Sequence, residues 1–366
     1  MKIELFTFDP SLPNSPQLKL SGKRYCRDDP DRTPGHPDNG LSLLFAHASA
    51  LHKETWEPTI QALFTLDQNR RIREVWALDW QHHGYSVTLN EDALRERPEG
   101  ISISEWGFAL ARFMGSEYMQ DRRVVAIGHS AGASAIMYST KYLIPSQYST
   151  SSPATPCTTS ASRFSSALGT LYTSIILVEP ALIDRRTYDA HLDDREGQIN
   201  AVMKSVVKSR ATWNSREEAL SWLTKKYPWK TWDRMAVKLF VEHGLRETRN
   251  ADGHTYVSVI CSKEHEARTY NDIDATFDAA EMIAPTCVAT SIHVIFGARE
   301  DVVPKYSQDS LIDQSQGRIM KSVTRLPGVG HMIPQENPES LAEAIYSILY
   351  NARQIPAVDK TATSKL

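Results

Sequence analysis

The sequence predicts an α/β protein built on a doubly wound, mostly parallel sheet with an inserted helical cap. Three observations predict it. Short, nearly continuous apolar runs recur along the chain, as expected of strands covered on both faces. Helix-compatible stretches alternate with them. About a hundred charged, tryptophan-rich residues with helical periodicity stand between two of the runs, too many for a plain loop.

In chain order, the strands expected are Leu41 to Phe45 (LSLLF), Glu74 to Leu78 (EVWAL), Val124 to Ile127 (VVAI), Ser174 to Val178 (SIILV), Ile292 to Phe296 (IHVIF) and the weaker Lys321 to Leu326 (KSVTRL). Each is bounded by Gly, Pro or polar turn residues. Helical patterns cover Thr55 to Phe64, Ser102 to Met119, Ala131 to Lys141 and Glu339 to Tyr350. The core is therefore expected in residues 1–183 and 286–350, with a flexible Ser/Thr/Pro/Ala-rich insertion at 145–166. Residues 184–285, including REEALSWLTKKYPWKTWDRMAVKLF, form the expected cap, and 351–366 a mobile tail.

Composition narrows the function. The chain has 366 residues, 41% hydrophobic and 23% charged, ordinary values for a globular protein. A net charge of −3 gives no reason to expect a nucleic-acid or anionic-membrane partner. No apolar run reaches transmembrane length, and MKIELFTFDP lacks the apolar stretch of a signal peptide. Cys26, Cys157, Cys261 and Cys287 form no CxxC pair and no metal-ligand spacing with histidine, so reduced thiols and no metal or cofactor are expected.

The chemistry starts at Gly128-His129-Ser130-Ala131-Gly132, a GxSxG pentapeptide. Its setting gives it meaning, because it follows the buried run VVAI and precedes the helix-compatible ASAIMYSTKYL. A tight strand-to-helix turn strains the serine backbone, and a Cβ two residues to either side would clash. Ser130 is thus the expected nucleophile, lifted above the sheet edge at a helix N-terminus. Attack on a carbonyl makes an oxyanion that needs preorganised donors. One is expected from the N–H of Ala131 and the second from Ser49, in the small-residue loop Phe45-Ala46-His47-Ala48-Ser49-Ala50. The His47 side chain is expected to satisfy local hydrogen bonds only. The run Asp79-Trp80-Gln81-His82-His83-Gly84-Tyr85-Ser86 resembles the D-x-x-G-H-G-x-S loop of many α/β-hydrolases, where its role is structural.

A serine hydroxyl needs a base, and in this strand–turn–helix setting the chain order is Ser, acid, His. His331 lies in the glycine-rich Leu326-Pro327-Gly328-Val329-Gly330-His331-Met332-Ile333-Pro334, after the last strand and before the closing helix. The other downstream histidines fall in the cap (His191, His243, His254, His265) or inside a strand (His293). Two places offer the acid. Glu179 ends the buried run Ile175-Ile176-Leu177-Val178, where a carboxylate is costly unless paired. Asp301 and Glu300 sit in the turn Gly297-Ala298-Arg299-Glu300-Asp301. Glu179 is favoured, and both alternatives stay open.

The runs His47 to Pro58 (HASALHKETWEP), GHSAG, LVEP, Val259 to Ala267 (VICSKEHEA) and GVGHMIPQENPE resemble fungal peroxisomal α/β-hydrolases of secondary-metabolite biosynthesis. Members act in AK-toxin (a host-selective toxin) and mycophenolic acid formation, the latter as an acyl-CoA hydrolase. The likeness runs from about residue 41 to 350 and implies the α/β-hydrolase fold. It also implies ester or thioester hydrolysis in a peroxisomal pathway, and an acid after the strand that follows the elbow, as at Glu179. The segment 145–166 departs from the family pattern. Ser364-Lys365-Leu366 match the peroxisomal address read by the import receptor at a free carboxyl end, which would make that receptor a partner. The reading is a serine hydrolase of a small acyl substrate, possibly an acyl-CoA. A lipase or esterase, and a catalytically silent binding protein on the same fold, are the alternatives. An epoxide hydrolase would want Asp where Ser130 stands.

Overall fold

The computed structural model describes residues 1–28, 40–144 and 171–350. The segment 145–166, Cys157 and the tail with Ser364, Lys365 and Leu366 lie outside the described residues. The strands are β1 (Lys2–Phe8), β2 (Leu20–Cys26), β3 (Leu41–Ala46), β4 (Ile72–Leu78), β5 (Arg123–His129), β6 (Ser174–Val178), β7 (Thr212–Trp213), β8 (Leu245–Arg249), β9 (Thr255–Val259), β10 (Ser291–Gly297) and β11 (Ser322–Leu326). Eight form one sheet in the order β1-β2-β4-β3-β5-β6-β10-β11. From β4 to β11 every pairing is parallel, whereas β1 and β2 join the edge antiparallel.

Alternation explains the apolar runs. Along β3, Leu44 and Ala46 enter one core layer and Leu43 and Phe45 the other. The first layer lies under the helices Ile103–Met114 and Ala131–Leu143, and the second under Glu57–Leu66 and Pro338–Tyr350. Both faces are dry, so nearly every residue of the central strands is apolar. Helix limits follow local chemistry. Ser102 caps Ile103–Met114 in a capping box with Glu105, and the helix stops at Gly115, short of the expected Met119.

Three expectations need correction. The strands β1 and β2 were not anticipated, because they do not read as continuous apolar runs. In β1, Phe8 is buried while Ile3 and Leu5 face solvent. In β2, buried Lys23 is paired with Glu54 and Glu57, which makes a cation tolerable inside a strand. Secondly, the cap is not purely helical. It carries the antiparallel sheet β7-β9-β8 among the helices Leu192–Lys208, Arg216–Leu223, Arg234–His243 and Lys263–Thr269. Thirdly, the segment 184–285 does not belong wholly to the cap. Its end, the helix Ile273–Glu281, packs through Ala275, Ala279 and Ala280 into the same core layer as Ala131–Leu143.

Candidate active site

Ser130 sits where β5 gives way to the helix Ala131–Leu143, with φ 54° and ψ −119°. That left-handed geometry is costly for a residue with a Cβ and must be held by its surroundings. Two glycines make it possible. A Cβ on Gly128 would lie 2.6 Å from the Ala133 backbone, and one on Gly132 would lie 2.3 Å from the Ala46 carbonyl oxygen. Gly132 thus allows the helix start to press against the end of β3, next to the loop that holds Ser49.

His331 reaches this turn from the loop after β11. Its Nε2 is 2.9 Å from Ser130 Oγ and its Nδ1 is 3.2 Å from Glu179 Oε2. All three side chains are buried. Glu179 Oε1 accepts the Gly297 N–H at 2.6 Å. A carboxylate at Nδ1 places the imidazole proton there and leaves the Nε2 lone pair toward the serine hydroxyl, as a base requires. Glu179 is itself held at φ 44° and donates its N–H to the Ile295 carbonyl at 2.8 Å, so the sheet register aims the carboxylate.

The other acid candidates stand elsewhere. Asp301 Oδ1 accepts the backbone N–H of His331 at 2.8 Å and does not meet its ring. Glu300 is exposed. The backbone of His331 is also gripped from the far side, because His129 Nε2–H donates to its carbonyl at 2.8 Å. Burial keeps the His129 imidazole well below the usual histidine range, hence neutral and able to donate from one nitrogen. Sequence reading missed the roles of His129 and Asp301. Both lie within runs that the sequence singles out, but what they do depends on the backbone of His331, which both of them hold.

Ala131 is the first residue of its helix, so its N–H has no partner within that helix. Ser49 lines the same pocket as Ser130, Ala131 and His331. The peptides that flank Ser49 are fixed by two buried histidines. His47 Nδ1–H donates to the Ala48 carbonyl at 2.8 Å, and His83 Nε2 accepts the Ala50 N–H at 3.0 Å. Burial pushes the His47 ring down to about 4, so it is neutral, and Trp80 N–H donates to its Nε2 at 3.1 Å. Both His47 nitrogens are thus spent on backbone, and the ring takes no place beside Ser130.

His82, His83 and Cys261 bring three ligand-type atoms within 4.8 Å of one another, all buried. The hydrogen bond from Ala50 leaves the His83 proton on Nδ1, and burial pushes the Cys261 thiol up, toward the protonated form.

The pocket at Ser130 runs one way past Leu182, Ile183 and Ile199, and the other way under the cap past Trp222 and Trp229. Trp213 and Trp232 touch the second branch but are largely buried in the cap core. Among the described residues no helix is long and apolar enough to cross a membrane.

A family model described as the alpha/beta hydrolase family matches residues 43–344. A type I acyl-CoA thioesterase (mpaH') of Penicillium brevicompactum is 29% identical over 136 residues, which are 36% of this chain and 29% of that protein. Among solved structures, the peroxisomal alpha-beta-hydrolase Lpx1 of Saccharomyces cerevisiae is similar with a TM-score of 0.66 at 18% identity, covering 98% of this chain and 91% of that one. The thioesterase domain from the curacin biosynthetic pathway is similar with a TM-score of 0.60 at 14% identity, covering 95% and 100%. At these identities the structural likeness speaks for the fold.

Proposed function

The chain belongs to the alpha/beta hydrolase family, and on that premise we propose that it is a serine hydrolase that cleaves an acyl thioester, or a carboxylic ester, of a small molecule. One observation carries the reading: Ser130 Oγ, the His331 ring and the Glu179 carboxylate form an unbroken chain of contacts at 2.9 and 3.2 Å. Ser130 Oγ bonds to the acyl carbon while its proton passes to His331 Nε2. The N–H groups of Ala131 and Ser49 receive the oxyanion, at roughly 3–4 kcal/mol for each donor. The carbon–sulfur or carbon–oxygen bond breaks, and His331 returns the proton to the leaving group. Water then repeats the sequence on the acyl-enzyme, with His331 as base, and frees the acid and Ser130. Glu179 holds the ring tautomer and stabilises the imidazolium.

The thioesterase relative supports a thioester as the substrate, and the partly apolar arm beside Ser130 suits an acyl chain. We further propose a peroxisomal, secondary-metabolite setting, toxin formation included, and recognition by the peroxisomal import receptor. The sequence resemblance and Ser364-Lys365-Leu366 support it. The test of the chemistry is a fluorophosphonate probe with a hydrolysis panel of acyl-CoA and p-nitrophenyl esters of varied chain length. Labelling that persists in Ser130→Ala, or none in the parent, rules the reading out and favours a silent binding protein. Co-localisation of an amino-terminal fluorescent fusion with a peroxisomal marker, lost on removal of the last three residues, tests the setting.

A further inference from the structure

Two arms of the pocket meet at the nucleophile, and both are lined by Ser49, Ser130 and His331. A thioester bound with its carbonyl carbon at Ser130 must send its acyl and thiol halves away in different directions. The arms differ in the chemistry that this requires. About half of the smaller arm's lining is aliphatic, with Arg195, Gln198 and two tyrosines beside it, whereas the larger opens under the cap among tryptophans and four cations. The chain has 44 acidic residues against 41 basic, yet Lys208, Arg210, Lys226 and Lys263 line the larger arm with Glu266 as their acidic company. Arg210 is taken by Glu218 at 2.5 Å, and Lys263 by Glu266 at 2.9 Å. Among the described residues, neither Lys208 nor Lys226 has a carboxylate within salt-bridge distance, and both are exposed. Two ammonium groups without carboxylate partners on the wall of one cavity can serve a polyanion. Trp222 and Trp229 stand half-buried in the same arm, their ring centroids 5.9 Å apart, with the Arg210 guanidinium 5.7 Å from the Trp222 ring, and aromatic rings of this kind can stack on a base.

We propose that the larger arm binds the coenzyme A half of a CoA thioester. Lys208 and Lys226 take its phosphates, and Trp222 or Trp229 takes the adenine. The acyl chain lies in the apolar arm. This inference rests on the hydrolase reading above for its use, although the binding it predicts stands by itself. Lysine suits the task, since its ammonium is a mobile point charge that tolerates varied phosphate geometry.

The test is equilibrium binding of S-ethyl-coenzyme A, a thioether that cannot be hydrolysed, followed by tryptophan fluorescence, with S-ethyl-pantetheine for comparison. In the parent, the CoA thioether binds more tightly than the truncated one, and its Kd rises with salt. The double variant Lys208→Glu/Lys226→Glu weakens CoA-thioether binding roughly tenfold, as two exposed charge contacts reversed together allow. The milder Lys208→Gln/Lys226→Gln gives a smaller loss in the same direction, and a Tm equal to the parent's in both variants excludes a folding defect. Equal Kd values for both thioethers in the parent, or a Kd unchanged in both variants, overturns the assignment. Salt-dependent CoA binding without fluorophosphonate labelling would retain the subsite and sink the hydrolase reading. Labelling and turnover of N-acetylcysteamine thioesters without CoA-selective binding would do the reverse.

Discussion

Replacing Glu179 by Gln changes one atom and confronts the side chain with two incompatible demands. Its Oε1 accepts from Gly297 N–H at 2.6 Å and its Oε2 faces His331 Nδ1 at 3.2 Å, so both positions require an acceptor. A glutamine has one. If its oxygen keeps Gly297, its NH₂ faces Nδ1 and donates to it, which moves the imidazole proton to Nε2 and aims it at Ser130. The base then has no lone pair for the hydroxyl, and a wrong tautomer of this kind costs about 10⁴-fold in kcat, or ~5 kcal/mol. If the oxygen turns to His331, the NH₂ meets the Gly297 N–H and a buried donor goes unpaired, at about 1–3 kcal/mol of stability. The imidazolium also loses its countercharge in that orientation. We therefore expect kcat to fall by roughly 10³-fold or more, with a Tm drop of at most about 10 °C. The assays are steady-state hydrolysis of a p-nitrophenyl ester and thermal unfolding of the same sample. A Glu179→Gln enzyme within tenfold of the parent refutes the argument and returns the acid to Asp301 or Glu300.

Other outcomes follow from the same contacts. Asp301→Asn keeps an acceptor for the His331 N–H, so activity should fall less than about tenfold, while Asp301→Ala frees that backbone group and should cost more; the kcat ratio of the two variants checks this. Gly132→Ala puts a carbon 2.3 Å from the Ala46 carbonyl oxygen, and a loss of about 3 kcal/mol or more in denaturant unfolding is expected. Ser130→Ala should retain the fold, bind no fluorophosphonate and lose roughly 10⁶-fold in kcat. Stability should also decline in acid. His47 is held down at about 4, and burial holds His82, His83 and His129 below the usual histidine range. Their unfolded forms take up protons near pH 6.5, whereas the folded ones do not. Their contribution is thus complete above about pH 6.5 and is lost progressively as pH falls below it, at about 1.4 kcal/mol per pH unit for each such group. Urea midpoints that stay level from pH 7 to 5 would show these rings to be protonated or solvated.

Local physics made much of this protein legible from its residues. Buried parallel strands need apolar side chains on both faces, so β3, β5, β6 and β10 stand out as runs. A strained serine turn needs Gly128 and Gly132, whatever surrounds it. The edge hairpin β1–β2 escaped that reading, because half of β1 faces solvent and β2 hides its charges in ion pairs. The end of the cap escaped it as well, since an alanine-rich helix shows its partner only once both are packed. Above all, which carboxylate meets His331 was undecidable along the chain. Glu179 lies 152 positions before His331, and its aim depends on β6 and β10 pairing with Val178 beside Ile295. A shift of that pairing by one residue would turn the carboxylate to the other face of the sheet. Strand periodicity and turn sterics act within a few residues and can be read from composition and spacing. Register between distant strands is settled by the whole core at once, and it is the register that brings Glu179 to His331.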